Sequence, residues 1–437
     1  MYRIIIFSIQ LIFLLLILSF VFTNPFVISL DIGNFKYSFP SNFFAFFLII
    51  FLLVIYVAFY ILFKSRLALN NYFLKNKYRK LEIGYQHFVD AMIAISNNDN
   101  RTATRSHKKM NKYLKDDPSL SLLLRSEVYK IEKKNDHLLE VYERMIKTKK
   151  TEVLGYKGLM ELNLRQEDYH HAFLYGEKLF NINSNIEKLY DTLIYISAKT
   201  KNWNQMIILS DKAFSRKIIR KDVLAENKSI AHYEIAHIKS DSNIKDSIKN
   251  ISKALELKKN FPPYIKLHLE LVSKSKNLSL LKKLLKKYWL NSPNFLVRTI
   301  ITKIIIENRL GQLGFINQIV KNNFNNEESK KLLIYFAIKN QEWTIARNNI
   351  SGLIGANPSS EICLFMADIE LGENNDKQTS DSWIKRAENS LSQNLWVCKN
   401  TNQSQEEWSS LSNSGYFNSL VLNNVKMLEF NKIKYDD

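Results

Sequence analysis

Cysteine, proline and glycine are all scarce in this chain of 437 residues, which has two Cys, seven Pro and eleven Gly. The two cysteines, Cys363 and Cys398, are too few for a disulfide framework or for a metal site made of cysteine alone. The shortage of glycine and proline argues against sandwiches, barrels and nucleotide-binding folds with glycine-rich loops, because such folds need many special turns. The composition therefore favours helices.

Catalytic and nucleotide-binding motifs are also missing from the sequence. None of the patterns G-x-x-x-x-G-K-[ST], G-x-G-x-x-G, H-E-x-x-H and G-x-S-x-G occurs. The glycine pair Gly155 and Gly158 is interpreted as a position of close helix packing. His170 and His171 are adjacent at the start of a predicted helix and point in different directions, so they do not predict a metal site. We therefore expect no catalytic residue, no cofactor and no bound metal, and an enzyme is the least favoured class.

Two long apolar runs lie near the N-terminus, at residues 4–22 and 43–63, and neither contains a charged residue. Each is long enough to cross about 30 Å of hydrocarbon as a helix. A cleaved signal peptide is the alternative for the first run. However, that run exceeds the usual apolar region of about 7–15 residues, and residues 23–25 do not form a small-x-small cleavage site. The sequence therefore predicts two transmembrane helices.

Basic residues that follow the second run set the predicted topology. They are Lys64, Arg66, Lys75, Lys77, Arg79 and Lys80. Because positive residues concentrate on the cytoplasmic side of a membrane, both ends of the anchor are expected in the cytoplasm. The short segment between the runs alternates apolar and polar residues around Gly33-Asn34. This alternation predicts a hairpin with a two-residue turn on the other side of the membrane.

The positive charge of the chain is spread unevenly. The net charge of +20 divides into about +3 on residues 1–66 and about +17 on the remainder. Lysine-rich runs at 147–150 and 282–287 are compatible with a basic face or with an ordinary solvated surface. Since no recognised nucleic-acid-binding module accompanies the charge, we do not expect a nucleic-acid partner. Contact with anionic lipid is expected near residues 64–80.

Beyond residue 67, amphipathic segments of 12 to 16 residues alternate with short polar breaks. The breaks are Asp99-Asn100, Asp136-His137, Asp168-Tyr169, Asn202-Trp203, Asn243-Ile244, Asn277-Leu278, Gly311-Gln312, Glu342-Trp343 and Asp376-Lys377. Their intervals run from 31 to 41 residues and centre on 34, the period of the tetratricopeptide helix–turn–helix repeat. An irregular helical domain with accidental spacing is the alternative. The spacing favours an all-α fold in which a tetratricopeptide-like solenoid occupies residues 67–392.

Several residues support the repeat beyond its spacing. At 169–172 and at 343–346, an aromatic residue is followed three positions later by alanine, which allows close packing of the second helix. Pro293 and Pro358 are expected to end such second helices, because proline has no N–H to continue them. The 41-residue interval predicts an extended helix at 221–240. Arrays of this kind curve into a groove that holds a peptide or a partner protein.

The two N-terminal apolar runs, the predicted hairpin, the repeat array and several short sequence motifs together resemble the HemY family. The motifs are Gly158-Leu159 followed by residues 168–172, and a tail with Trp396-Val397-Cys398, Trp408 and residues 415–419. HemY proteins are bacterial inner-membrane proteins associated with late haem synthesis. The resemblance implies a multi-pass inner-membrane protein with a cytoplasmic repeat domain. It also implies a scaffold or regulator whose protein partners include late haem-synthesis enzymes.

The tail departs from the family pattern. Relatives carry several cysteines there in a rubredoxin-like knuckle, whereas this chain has Thr401 at the C-x-x-C position and Ser412 and Ser414 in the second pair's region. Cys398 alone cannot supply the four ligands of a tetrahedral metal. Residues 393–437 are therefore predicted to be a degenerate knuckle whose aromatic residues cap the last repeat. The predicted division is a two-span anchor at 1–66, the array at 67–392 and this tail.

A second hypothesis is a scaffold of envelope assembly, similar to membrane-tethered tetratricopeptide proteins that control lipopolysaccharide synthesis. Such proteins typically have one span and a complete metal-binding tail. Two predicted spans and a degenerate tail count against this hypothesis without deciding the matter.

Overall fold

The computed structural model describes residues 2–24, 26–33, 35–114, 118–355, 358–388 and 392–426. The chain divides into two units, Met1–Leu138 and Leu139–Asp437. The elements of the first unit are α1 (Tyr2–Thr23), β1 (Val27–Ile32), β2 (Phe35–Pro40), α2 (Ser41–Ser96), α3 (Asn100–Tyr113) and α4 (Pro118–Ile131). Helix α5 (Asn135–Ile146) begins in the first unit and ends in the second.

The predicted hairpin between the apolar runs is confirmed. Strands β1 and β2 pair antiparallel, with Ile32 opposite Phe35 at the end of the ladder. Gly33 has a φ of +62°, a left-handed conformation that glycine adopts without a Cβ clash. Asn34, the other turn residue of the prediction, lies outside the described residues.

Helix α2 is 56 residues long and passes through residue 66 without a break. No proline or glycine occurs between residues 41 and 83, so nothing ends the helix where the composition changes from apolar to charged. Its C-terminal part belongs to the first pair of the array, where Ala91 packs with Met110 and Leu114. One continuous helix therefore joins the apolar run at 43–63 to the first repeat. The predicted boundary between anchor and array, at residues 66 and 67, lies within this helix.

Within the described residues, one helix is long and apolar enough to cross a membrane. It lies within Ile49–Ser96, reaches a mean hydropathy of 2.0, and none of its apolar window is buried. Helix α1 spans 22 residues. One candidate span is thus found where two were predicted, and a membrane crossing by α1 stays a prediction.

The second unit continues as helices and ends in three strands. Its helices are α6 (Glu152–Arg165), α7 (Tyr169–Ile182), α8 (Leu189–Lys199), α9 (Trp203–Ser215), α10 (Lys221–Ile238), α11 (Ile244–Leu257), α12 (Pro262–Lys274), α13 (Leu278–Asn291), α14 (Phe295–Glu307), α15 (Leu313–Val320), α16 (Glu327–Lys339), α17 (Trp343–Ile350), α18 (Ser360–Asn374) and α19 (Lys377–Glu388). The strands are β3 (Ser392–Cys398), β4 (Ser404–Gln405) and β5 (Leu420–Lys426).

The predicted repeat is confirmed, because all nine polar breaks lie within two residues of the start of a second helix. Asp168 accepts a hydrogen bond from the backbone N–H of His171, and Asn277 accepts one from that of Leu280, both at 3.1 Å. These side chains satisfy N–H groups that have no partner inside the helix. Glu167, directly before one such cap, has a φ of +59°, which turns the chain between the paired helices. The fold is therefore tetratricopeptide-like.

Close packing between helices also agrees with the sequence. Ala172 and Ala346 are fully buried. A Cβ atom built on Gly158 would lie 2.3 Å from the ring of Tyr142, so α6 approaches that ring through the glycine. The extended helix predicted at 221–240 is observed as α10, which has 18 residues.

Only one of the two proline predictions is met. Pro293 follows the end of α13 by two residues, as expected. Helix α17 instead ends at Ile350, and Pro358 lies two residues before the start of α18. A 3₁₀ turn at Ser351–Leu353 terminates that second helix before the proline is reached.

The tail departs from the predicted all-α fold, because it forms strands. Strand β3 lies at the centre of a three-stranded antiparallel sheet in the order β4-β3-β5, with Cys398 opposite Leu420. The strands are short and their partners lie far along the chain, so alternation within any one of them is a weak signal. Residues 427–437 of the predicted tail lie outside the described residues.

Candidate functional site

Helices α10, α12, α14, α16 and α18, each the first of its pair, line two adjoining pockets that share Thr299 of α14. These five helices form what is here called the first-helix surface, and the tail lies on part of it. The ring of Trp408 is 5.2 Å, centroid to centroid, from those of Tyr233 and Phe261 and 5.8 Å from that of Tyr264. Trp396 lies 6.1 Å from Phe261. These steep, edge-on arrangements are the favoured geometry of aromatic pairs. The tail is thus anchored on α10 and α12 by its two tryptophans.

An ion pair also joins the tail to α12. The Nζ atom of Lys266 donates to Oε1 of Glu407 at 2.7 Å. This hydrogen bond and the positive charge of Lys266 lower the pKa of the Glu407 carboxyl. Around the pair, burial raises the pKa of both Tyr233 and Tyr264, so their hydroxyls stay protonated.

The position of the tail corrects the prediction that its aromatic residues cap the last repeat. They pack instead on the middle pairs of the array, where Phe261 and Tyr264 flank two prolines at the start of α12. Sequence reasoning missed these aromatic residues on the receiving helices. The one available signal was the segment 261–264, whose two aromatic residues bracket Pro262-Pro263 and leave a large apolar area to be covered.

Inside the tail, hydroxyl groups surround the single cysteine. Cys398 is buried, and its Sγ atom lies 3.3 Å from Oγ of Ser419, while Thr401 Oγ1 and Ser414 Oγ are 2.8 Å apart. Burial raises the pKa of the Cys398 thiol, but hydrogen bonds, including those with Ser419, Thr401 and Ser412, outweigh it and lower the pKa to about 6. One thiol and several hydroxyls do not fit a structural zinc or iron site. Side-chain hydrogen bonds around Cys398 connect the segments of the tail at 398–401 and 412–419.

A second part of the first-helix surface is open. Helices α14, α16 and α18 line a cleft of about 600 Å³. Phe295, Ile306 and Leu364 line it as large apolar side chains that are 41%, 51% and 46% exposed. The cleft thus combines a wide opening with an apolar wall.

A buried ionic cluster connects the three helices at one end of the cleft. Arg298, which is 5% exposed, donates to Glu328 on α16 at 2.7 Å and to Glu361 on α18 at 2.5 and 2.7 Å. Lys331 in turn contacts Glu328 at 3.1 Å. Removing one partner of such a buried pair leaves an uncompensated charge and typically destabilises a fold by about 3–5 kcal/mol.

The six basic residues expected to set the topology all lie on α2, and all are exposed. They are Lys64, Arg66, Lys75, Lys77, Arg79 and Lys80. The Nζ atom of Lys64 lies 5.7 Å from the ring centroid of Tyr60, at the end of the apolar run. Their effect on membrane orientation stays a prediction.

No group of three or more His, Cys, Asp or Glu side chains that could hold a metal ion occurs in the part of the chain that the structure describes. His170 and His171 lie at the start of α7, where His171 Nδ1 contacts Asp168 at 2.7 Å.

No protein-family model and no curated protein matches this chain. Among solved structures, it is similar to the TPR2AB domain of yeast Sti1 in complex with pHSP90, at 8% identity over 70% of this chain and 99% of that one, with a TM-score of 0.30. Yeast Tom70 gives 12% identity, 71% and 76% coverage and a TM-score of 0.29. PilF of Pseudomonas aeruginosa is 11% identical over 63% of this chain and 91% of that one, with a TM-score of 0.25. These TM-scores are low, and the tetratricopeptide-like character of the fold rests on the helix pairs of this chain.

Proposed function

We propose that this protein is a membrane-anchored scaffold or regulator that binds other proteins and acts in late protohaem biosynthesis. The observation that carries the binding role is the first-helix surface, which offers an apolar, charged cleft on α14, α16 and α18. Surfaces of this kind in helical repeats hold peptides and partner proteins. The haem assignment rests on the sequence resemblance to HemY at residues 158–159, 168–172 and in the tail.

The membrane role is part of the same proposal. Residues 1–66 form a two-span anchor in the bacterial inner membrane, and the array at 67–392 and the tail at 393–437 lie in the cytoplasm. The apolar, unburied window of α2 and the exposed basic residues that follow it support this placement. Those basic residues also contact anionic headgroups, which attract juxtamembrane lysine and arginine.

Crosslinking in intact membranes, followed by mass spectrometry, tests the partner assignment. Recovery of ferrochelatase or another late haem-synthesis enzyme is the expected result, and the linked lysines would locate the contact surface. A chain ending at Ser96, where α2 ends, is the matched control, because it keeps the predicted anchor and lacks the rest of the array. Recovery of lipopolysaccharide-synthesis enzymes would favour the envelope-assembly scaffold instead.

A deletion strain tests the pathway separately from the scaffold. We expect tetrapyrrole levels to change when the gene is removed and to return with the full chain. Normal levels would remove the haem assignment and leave the scaffold role intact.

A further inference from the structure

The tail divides the first-helix surface into a covered and an open part. Its residues pack on Tyr233 of α10, on Phe261 directly before α12, and on Tyr264 of α12. The cleft on α14, α16 and α18 is lined by residues of these three helices alone, with no tail residue among them. Of these two places on the surface, the cleft is the one that a partner can enter without displacing the tail.

The charged side chains that line the open cleft are three cations, Arg298, Lys303 and Lys339, and two carboxylates, Glu361 and Asp368. Lys303 and Lys339 line it, and no hydrogen bond or ion pair is found for either ammonium group in the described residues. Lys303 does lower the pKa of Glu407, but the close ion pair of that carboxylate is with Lys266. Arg309 extends the positive side in an adjoining groove that shares Lys339.

Negative groups in the cleft only partly offset these cations. Glu361 is already paired with Arg298. Asp368 is the other carboxylate that lines the cleft. Among the residues that line the cleft, Asp368 is thus the one carboxylate that is not engaged by Arg298, and Lys339 is the cation that acts on it. Lys303 and the neighbouring Arg309 add positive charge, so an incoming acidic group finds net attraction there.

A buried hydroxyl in the cleft wall also lacks a partner. The Oγ1 atom of Thr302 is buried and has no hydrogen-bond partner in the part of the chain that the structure describes. Threonine in a helix commonly satisfies this group with a backbone carbonyl of the preceding turn. Unsatisfied buried polar atoms are uncommon in folded proteins, and Thr302 therefore marks the cleft wall as an unusual place in α14.

We propose that this cleft binds an acidic segment of a partner protein that also carries a large apolar side chain. The apolar side chain packs against Phe295, Ile306 and Leu364, while carboxylates of the segment contact Lys303 and Lys339. This inference rests on the proposed scaffold function and specifies the surface and the chemistry that it uses.

Fluorescein-labelled synthetic peptides test the chemistry by anisotropy with the full-length protein in detergent micelles. The probe is Asp-Glu-Leu-Phe-Asp-Glu; one comparison peptide replaces its acidic residues by lysine, and another replaces Leu-Phe by Ala-Ala. We expect only the first to bind saturably. The variant Lys303→Glu with Lys339→Glu should weaken binding by about tenfold or more, because each charge contact contributes through direct hydrogen bonding.

The matched control is Lys249→Glu with Lys253→Glu, two exposed lysines on α11. This control lowers the net charge of +20 by the same amount as the cleft variant. Because neither lysine lines the cleft, it should leave binding nearly unchanged. Equal weakening in both variants would reduce the effect to general electrostatic attraction and overturn the proposal, as would saturable binding of the lysine peptide. Unchanged thermal unfolding of each variant shows that its fold is kept.

A photoreactive residue at position 364 separates failure of this cleft from failure of the scaffold. The photoreactive residue replaces Leu364 in one variant and Ile208 on α9 in a second variant, since both side chains are exposed. In intact membranes the variant at position 364 should capture the partner. The captured segment should be acidic and should contain an apolar residue. Capture from Ile208 on α9 alone would place the partner elsewhere and overturn this inference, leaving the scaffold role. Capture of a second copy of this chain would also overturn it. Capture from neither position would count against both.

Discussion

At the scale of single residues, Gly158 lies where α6 closely approaches the ring of Tyr142 on α5. A Cβ atom there would lie 2.3 Å from the ring of Tyr142, so Gly158→Ala forces the ring or the helix to move. Overpacking of this kind costs about 1–3 kcal/mol, and the helix propensity of alanine returns up to about 1 kcal/mol. We expect a net loss of about 1–2 kcal/mol in the free energy of unfolding, measured by denaturant titration.

Gly314 is the matched control for that substitution. It also lies in a helix, α15, but a Cβ atom there would meet nothing within 4 Å. Gly314→Ala should therefore stabilise the protein by up to about 1 kcal/mol. If both variants lose the same stability, the close approach at Gly158 is not the cause.

His268 makes stability depend on pH. Burial, with a smaller effect from Lys287, lowers its pKa to about 4, and its Nδ1 atom lies 2.6 Å from the Tyr288 hydroxyl. The unfolded chain, whose histidine has a pKa near 6.5, binds the proton more readily. The contribution of neutral His268 to the free energy of unfolding should therefore be complete above a pH of about 6.5. It should be lost as the pH falls towards 4, and the loss from this residue should be at most about 3 kcal/mol.

The variant His268→Gln should unfold with a smaller dependence on pH over that window. The dependence should not vanish, because burial also lowers the pKa of His107 and of His232. Denaturant midpoints at several pH values measure the difference. An unchanged slope in the variant would exclude His268 as a source.

At the scale of elements, the seating of the tail depends on Trp408. Its ring is 8% exposed and packs on three aromatic rings of α10 and α12. Replacing a buried tryptophan by alanine costs about 3–5 kcal/mol. Trp408→Ala should therefore release the tail and raise the rate of tryptic cleavage at Lys399 by about a hundredfold or more.

The control for the tail is Tyr416→Ala, which truncates a side chain that is 45% exposed in the same segment. It should leave the cleavage rate close to that of the unmodified protein. Helical circular dichroism should be kept in both variants, because the helix pairs have their own buried core. Tail cleavage at an unchanged rate in Trp408→Ala would mean that the tryptophan does not hold the tail.

At the scale of the whole molecule, the proposed topology puts the hairpin and the array on opposite sides of a membrane. Single cysteines at Ser38 in β2 and at Ser96 at the end of α2 report the two sides, since both positions are exposed. An impermeant maleimide added to intact cells, with the outer membrane permeabilised, should label Ser38→Cys and spare Ser96→Cys. The unsubstituted chain is the control, because Cys363 and Cys398 are both buried. Labelling of both positions or of Ser96→Cys alone would contradict the orientation.

Local signals along the chain were sufficient for the helices, their starts and the hairpin. Asp168 and Asn277 identify helix starts because the capping bond joins residues three apart. The uncharged run at 43–63 predicts an apolar helix from its own composition, without reference to any other part of the chain. Each of these features depends on residues that are neighbours in sequence.

The tertiary structure alone decided where the tail lies and which part of the first-helix surface stays open. Lys266 and Glu407, which join the tail to α12, are 141 residues apart, and Arg298 reaches Glu361 across 63 residues. No periodicity or cap records such pairs, because they form only when separate helices pack and enclose their side chains. The sequence thus determined the repeated unit of this protein, and the packing between units determined its seated tail and its open cleft.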